Sequence, residues 1–311
     1  MRFGYDFGGL SVSSGIALES LRKAQAGAEA EDADIELALE CAKLPMPDDV
    51  LFRWPGRYGL SLKRVGTDWL FESTVGAAFQ IKPDGRRVLA FSPSGEPDIG
   101  FMDVLARRVL PRIAILHGAV PLHAAALANE TGALLLAAPS GFGKSTFTAM
   151  LARRHGWDAL SDDISLLRHA AGMTTVSPTA TGICLRPDSR KALGLSDAQC
   201  RSMPGYEGKL WYGPDPIAVS RSRPLRALVV LSRGADLDTH TVRRLSAVEG
   251  FILATSQLIH FNPLASANGD IAYLMTRLSR AMDGVPSYLL SYPADFGALG
   301  VVTDELAKLL Q

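Results

Sequence analysis

Residues 138–146 read Ala-Pro-Ser-Gly-Phe-Gly-Lys-Ser-Thr. Two glycines, a lysine and two hydroxyls spaced this closely suit one job, the binding of phosphate. Glycines let backbone N–H groups converge on phosphate oxygens, and a helix N-terminus just beyond adds its positive dipole. On this reading Ser140, Gly141, Phe142, Gly143, Lys144, Ser145 and Thr146 wrap a nucleotide's phosphates. Lys144 would reach the β- and γ-phosphates and Ser145 would hold Mg²⁺. Ala138 stands where the usual motif has glycine.

Seventeen residues past Ser145 come two adjacent carboxylates, Asp162 and Asp163. Beside a phosphate loop an acid has two uses: to hold the metal that bridges the phosphates, or to accept the proton of an attacking hydroxyl. Alone, such a pair is more often a solvated turn or helix cap. Coupled to the loop at this spacing, it reads as function.

The elements needed to position these groups are legible. The apolar run Ala133–Ala137 predicts a buried strand leading into the loop, and Phe147–Arg154 predicts a helix leading out. A helix of about three turns, a short return and a strand would bring the Asp pair back beside the loop. The spacing sets the chain apart from switch GTPases and transporter ATPases, whose acid lies much further along. A Leu-Ser-Gly-Gly-Gln signature, a guanine-reading Asn-Lys-x-Asp and the His-Arg-Asp and Asp-Phe-Gly signatures of protein kinases are absent.

With Leu122-His123-Ala124-Ala125-Ala126-Leu127 upstream, read as a strand carrying a histidine, the loop and Leu160-Ser161-Asp162-Asp163 form an ordered set of three. In this the chain resembles the HPr kinase/phosphorylase superfamily, whose catalytic domain shares its architecture with ATP-dependent phosphoenolpyruvate carboxykinases. Ile183-Cys184-Leu185-Arg186-Pro187-Asp188-Ser189 and Gly208-Lys209-Leu210 are similar to segments of the HPr-kinase-related branch found beside peptide-modification genes, including lasso-peptide clusters. The resemblance is good from about Pro121 to Ser165, fair to about Leu231 and vague beyond. It implies an α/β fold, with a phosphate-loop core like that of phosphoenolpyruvate carboxykinase. It implies ATP and Mg²⁺ as cofactors and transfer of the γ-phosphoryl group to a serine of a peptide or small protein. By position it makes Asp162 the general base, Asp163 the metal ligand with Ser145, and His123 a neighbour that tunes the base. Arg186 and Lys209 become cationic clamps on the transition state. The family forms hexamers, so a homo-oligomer is among the expectations. A small-molecule kinase of the same fold and a non-catalytic ATP-binding switch stay open as alternatives; the latter has no need of a base.

Composition fits a soluble enzyme: 311 residues, 47% apolar, with 32 basic residues against 32 acidic. A balanced charge gives no support to nucleic-acid binding. Cys41, Cys184 and Cys200 are odd in number and widely spaced, which suggests reduced thiols in a cytoplasmic protein. The start lacks the apolar core of a signal peptide. Ile113–Asn129, the least charged stretch, contains two histidines, Gly118 and Pro121 and reads as a helix end running into a buried strand, not a membrane span.

Residues 1–97 form a β-rich front. Asp34–Glu40 alternates, and Tyr58–Lys63, Asp68–Ser73, Ala77–Ile81 and Arg87–Phe91 read as short strands. Gly15–Ala30 reads as a helix or a linker. Ser92–Pro97 is the expected boundary, with the phosphate chemistry confined to 98–311. There Ile99–Leu116 reads as a helix broken or bent at Pro111. Thr174–Ser177, Ile183–Arg186, Leu225–Leu231 and Ser287–Tyr292 read as strands. Ala247–Leu258, Ile271–Met282 and Phe296–Leu310 read as helices. Tyr206, Trp211 and Tyr212, next to Lys209, read as a loop that would serve as a lid or be pinned by its aromatics.

Overall fold

Ile35 and Leu37 are buried, and the residues between and after them are half-exposed. That period of two is the pattern of a strand with one face on a core. It recurs through the front of the chain. The computed structural model describes residues 2–19, 21–24, 32–40, 44–47, 49–56, 59–179, 182–202, 208–213, 221–262 and 270–310. They divide into two compact units, 1–119 with 259–274, and 120–258 with 275–311. Ser92–Pro97 lies inside the first unit, as a turn in which the Ser94 hydroxyl donates to the Glu96 carbonyl.

Among the described residues, the first unit holds one sheet of nine strands. They are β1 (Phe3–Phe7), β2 (Leu10–Ser14), β3 (Arg22–Lys23), β4 (Ile35–Glu40), β5 (Asp49–Trp54), β6 (Leu60–Val65), β7 (Asp68–Ser73), β8 (Ala78–Ile81) and β9 (Arg87–Phe91). Strands β5 to β9 form an antiparallel meander, and β9, β4 and β2 run parallel. In the 15–30 segment the described part is a short strand and buried Leu18 and Leu21, with no helix; residues 20 and 25–30, like Cys41 and Tyr58, lie outside the described residues.

Pro111 does not end the helix it sits in. Helix α1 (Ile99–Val104) is capped by Asp98, whose side chain accepts from the Phe101 N–H at 2.7 Å. A π-helical turn, Leu105–Val109, follows, and the Leu110 N–H reaches back to the Leu105 carbonyl. Helix α2 (Leu110–Leu116) then begins with Pro111 in its first turn, where a missing N–H costs nothing.

The second unit continues with β10 (Val120–Leu122), β11 (Ala124–Asn129), β12 (Gly132–Ala137), α3 (Lys144–His155), β13 (Asp158–Ser161), β14 (Ser165–Ala170), β15 (Met173–Ser177), β16 (Ile183–Leu185), α4 (Pro187–Ala192), β17 (Cys200–Ser202), β18 (Leu210–Tyr212), β19 (Arg223–Gly234), β20 (Thr241–Arg244), α5 (Ala247–Thr255), β21 (Ser287–Pro293) and α7 (Leu299–Lys308). Helix α6 (Asp270–Met282) begins in the first unit and ends in the second. Strand β12 pairs antiparallel with β11, which pairs antiparallel with β13 on its other side. On β12's other flank β19 runs parallel, and β21 parallel to β19. Strands β12, β13, β19 and β21 therefore all end at one edge of the sheet, where β11 begins. Every residue of β12 is buried, as its unbroken apolar sequence requires. Strands β16, β18 and β17 form a separate small sheet. Ile183, Leu185 and Tyr212 of that sheet share a core with Ala149 of α3.

Two expectations change here. His123 is not within a strand: it is the bend between β10 and β11, and its N–H donates to the Gln257 carbonyl at 2.8 Å. Trp211 and Tyr212 are not in a loop but on β18, with Tyr212 buried; Tyr206 lies outside the described residues. The glycines at 182 and 213 leave space for the Trp211 ring, since a Cβ at either position would lie within 2.5 Å of it.

Candidate functional site

The strand edge described above is where open α/β sheets bind ligands, and a cleft lies along it. Its floor is the 138–146 segment. Gly141 and Gly143 have φ of 89° and 80°, a left-handed conformation open to glycine and strained for other residues. Gly143 is the N-cap of α3, so Lys144 and Ser145 begin the helix with their N–H groups unclaimed by its ladder. Ala138 fits despite its methyl group: it is buried in the core with Phe147, and its carbonyl accepts from Lys144 Nζ at 2.7 Å.

Lys144 is only 7% exposed. Burial pushes its ammonium below the ordinary lysine value; Asp163 and Asp162 oppose that shift, and Lys209 adds to it. The loop lysine, both carboxylates and Lys209 thus lie within electrostatic reach of one another. Thr146 does not face the cleft alone: its hydroxyl donates to Ser189 Oγ at 3.0 Å, tying α3 to α4.

The two carboxylates differ. Asp162 is 4% exposed, and one of its oxygens accepts the Cys184 N–H at 2.8 Å. Asp163 lines the cleft, and its Oδ1 is 2.9 Å from His123 Nε2. His123 and Asp163 are adjacent because β11 begins and β13 ends at the same sheet edge. Arg186, the exposed N-cap of α4, and Lys209, which precedes β18, reach the cleft from the small sheet. All the expected residues except Asp162 and Phe142 line the cleft. Asp162 lies behind it, and Phe142 packs against the core.

Arg233, Tyr292, Asp295 and Phe296 are among the lining residues that carried no functional signal in the sequence. They follow from the parallel order of β12, β19 and β21, which no local motif encodes. The buried Tyr292 hydroxyl donates to the Phe142 carbonyl at 2.8 Å, and its ring meets Phe147 edge-on at 5.1 Å. Burial raises this phenol to about 12, against an opposing effect of nearby Arg233.

A divalent cation fits the donor set. Among the described residues no cluster of three His, Cys, Asp or Glu side chains is placed to hold a metal. Mg²⁺ needs none, since it is commonly bound by one or two protein oxygens together with substrate phosphates. Of the residues lining the cleft, Ser145 and Asp163 could supply such oxygens. Among the described residues no helix is long and apolar enough to cross a membrane.

No protein-family model matches the chain, and no curated protein matches it significantly. Among solved structures it is similar to the Hpr(Ser) kinase/phosphatase from Coxiella burnetii, with a TM-score of 0.32 and 15% identity over 61% of this chain and 99% of that one.

Proposed function

We propose that this chain is an ATP-dependent, Mg²⁺-assisted phosphotransferase that acts on a hydroxyl, the serine of a peptide or small protein, on a core of the phosphoenolpyruvate carboxykinase type. The observation that carries the proposal is the buried Lys144 of a glycine-shaped phosphate loop, within electrostatic reach of two carboxylates, of which Asp163 lines the cleft. In the reaction the acceptor O–H proton passes to a carboxylate as the oxygen bonds to the γ-phosphorus, and the bond to the β,γ-bridging oxygen breaks to release ADP. Such transfer asks a protein chiefly for positioning and charge neutralisation. Lys144, with Arg186 and Lys209, supplies the positive charge.

The Asp pair divides two jobs. By resemblance Asp162 takes the proton and Asp163 holds Mg²⁺ with Ser145. Burial and bonding favour the reverse for the proton. Asp163 is open to the cleft and oriented by His123, whereas Asp162 is enclosed and held by a backbone N–H. On this second reading Asp163 is the base, and Asp162 fixes the small sheet while adding negative charge beside the metal site. The bound metal would offset charge on the phosphates.

The test is incubation of the full chain with Mg²⁺, γ-labelled ATP and serine-containing peptides. Label on serine that disappears in Asp163→Asn supports the kinase. Tight ATP binding with neither transfer nor hydrolysis would sink it in favour of a nucleotide-dependent switch.

A further inference from the structure

Resting on that reading, we infer that the nucleoside of the donor lies against the ends of β19 and β21, with the Phe296 ring as the platform for its base. The order of strands along the site edge is β13, β11, β12, β19, β21. The phosphate loop follows β12. His123 and the Asp pair lie on one flank, one and two strands away; Arg233 and the 292–296 segment lie on the other, at the same removes. Neighbouring strands are about 4.8 Å apart, so each flank reaches about 10 Å from the loop. A nucleotide whose γ-phosphate faces the acids must run its ribose and base the opposite way. That path leads over Tyr292 to Phe296.

The side chains on that flank suit a nucleoside. Phe296 lines the cleft yet is 40% exposed, a flat apolar face on which a base would stack. Asp295 is exposed beside it, its Oδ1 fixed by the Gly297 N–H at 3.0 Å. A carboxylate at such a place accepts hydrogen bonds from ribose hydroxyls. Arg233 lines the cleft and donates to the Ala294 carbonyl at 3.2 Å; in the proposed pose its guanidinium meets the α-phosphate.

The experiment compares MgATP with inorganic tripolyphosphate and Mg²⁺, by calorimetry on the full chain. Phe296→Ala is expected to weaken ATP about 10-fold, from the loss of one stacking contact, and to leave tripolyphosphate unchanged. Phe296→Tyr keeps the ring and is expected to bind ATP as wild type does, which separates stacking from any loss of folding. ATP affinity unaltered in Phe296→Ala, or both ligands weakened alike, overturns the nucleoside subsite alone. A wild-type chain that binds neither ligand removes the phosphate site itself, and the subsite with it.

Discussion

The Tyr292 hydroxyl donates to the Phe142 carbonyl at 2.8 Å, and a Cβ on residue 143 would lie 2.7 Å from the same oxygen. One phenol thus both holds the crest of the phosphate loop and excludes every side chain from position 143.

Tyr292→Phe is therefore expected to cost about 1 kcal/mol, the net worth of one hydrogen bond whose carbonyl is left unmatched. The loss should appear as roughly fivefold weaker ATP binding with kcat little changed. Equal falls in kcat and kcat/KM would mean the tyrosine acts in the chemical step instead.

Gly143→Ala faces two costs: a left-handed backbone, about 1–2 kcal/mol, and the contact with Tyr292. Nucleotide binding should be nearly abolished. The double variant with Tyr292→Phe should recover part of it, because the contact is removed while the backbone cost and the lost hydrogen bond persist. A double variant no better than Gly143→Ala would show that the tyrosine is not the obstacle.

His123 and Asp163 form a hydrogen-bonded pair, so their substitutions should not add. Asp163→Asn is expected to lower transfer about 10²–10⁴-fold, the range for loss of a general base. His123→Ala should lower it less in the wild type and hardly at all in the Asp163→Asn background. Additive effects in a double-mutant cycle would separate the two residues. Asp162→Asn is expected to lower thermal stability as well as rate, since its carboxylate anchors the Cys184 N–H.

Lys144 gives a prediction about protons. Burial holds its pKa below the ordinary lysine value of about 10.4. A triphosphate favours the charged form and would raise it. Between the lowered value and about 10.4 the free chain has partly lost this proton, so ATP binding must take one up and affinity must fall as pH rises. Calorimetry in alkaline buffers of differing ionisation enthalpy would measure the uptake. Its absence, or release of a proton, would contradict a cationic Lys144 in the complex.

Local chemistry was legible in the sequence and long-range pairing was not. The loop, the helix after it and the strand before it are contiguous, so residue types and period were enough. The return to Asp162 and Asp163 crosses only one helix. Tyr292 and Arg233 reach the same cleft through parallel pairing of strands far apart in sequence, and parallel partners leave no turn to read between them. His123 was misplaced into a strand because Leu122 and Ala124 are both buried and apolar; the bend between them is set by Gln257, far along the chain. Trp211 and Tyr212 looked like a loop because glycines surround them. Those glycines at 182 and 213 are instead the space that the indole fills.

The Tyr292 tie joins the middle of the chain to a strand near its end. The loop is synthesised about 150 residues before the hydroxyl that holds it, and Ala133 of β12 is made well before its parallel partner, Leu225 of β19. Closing so large a loop is entropically slow. During refolding, ATP affinity is therefore expected to appear only in the last phase, after most helical signal has returned. In a growing chain the nucleotide would serve as a late reporter that the whole sheet had assembled.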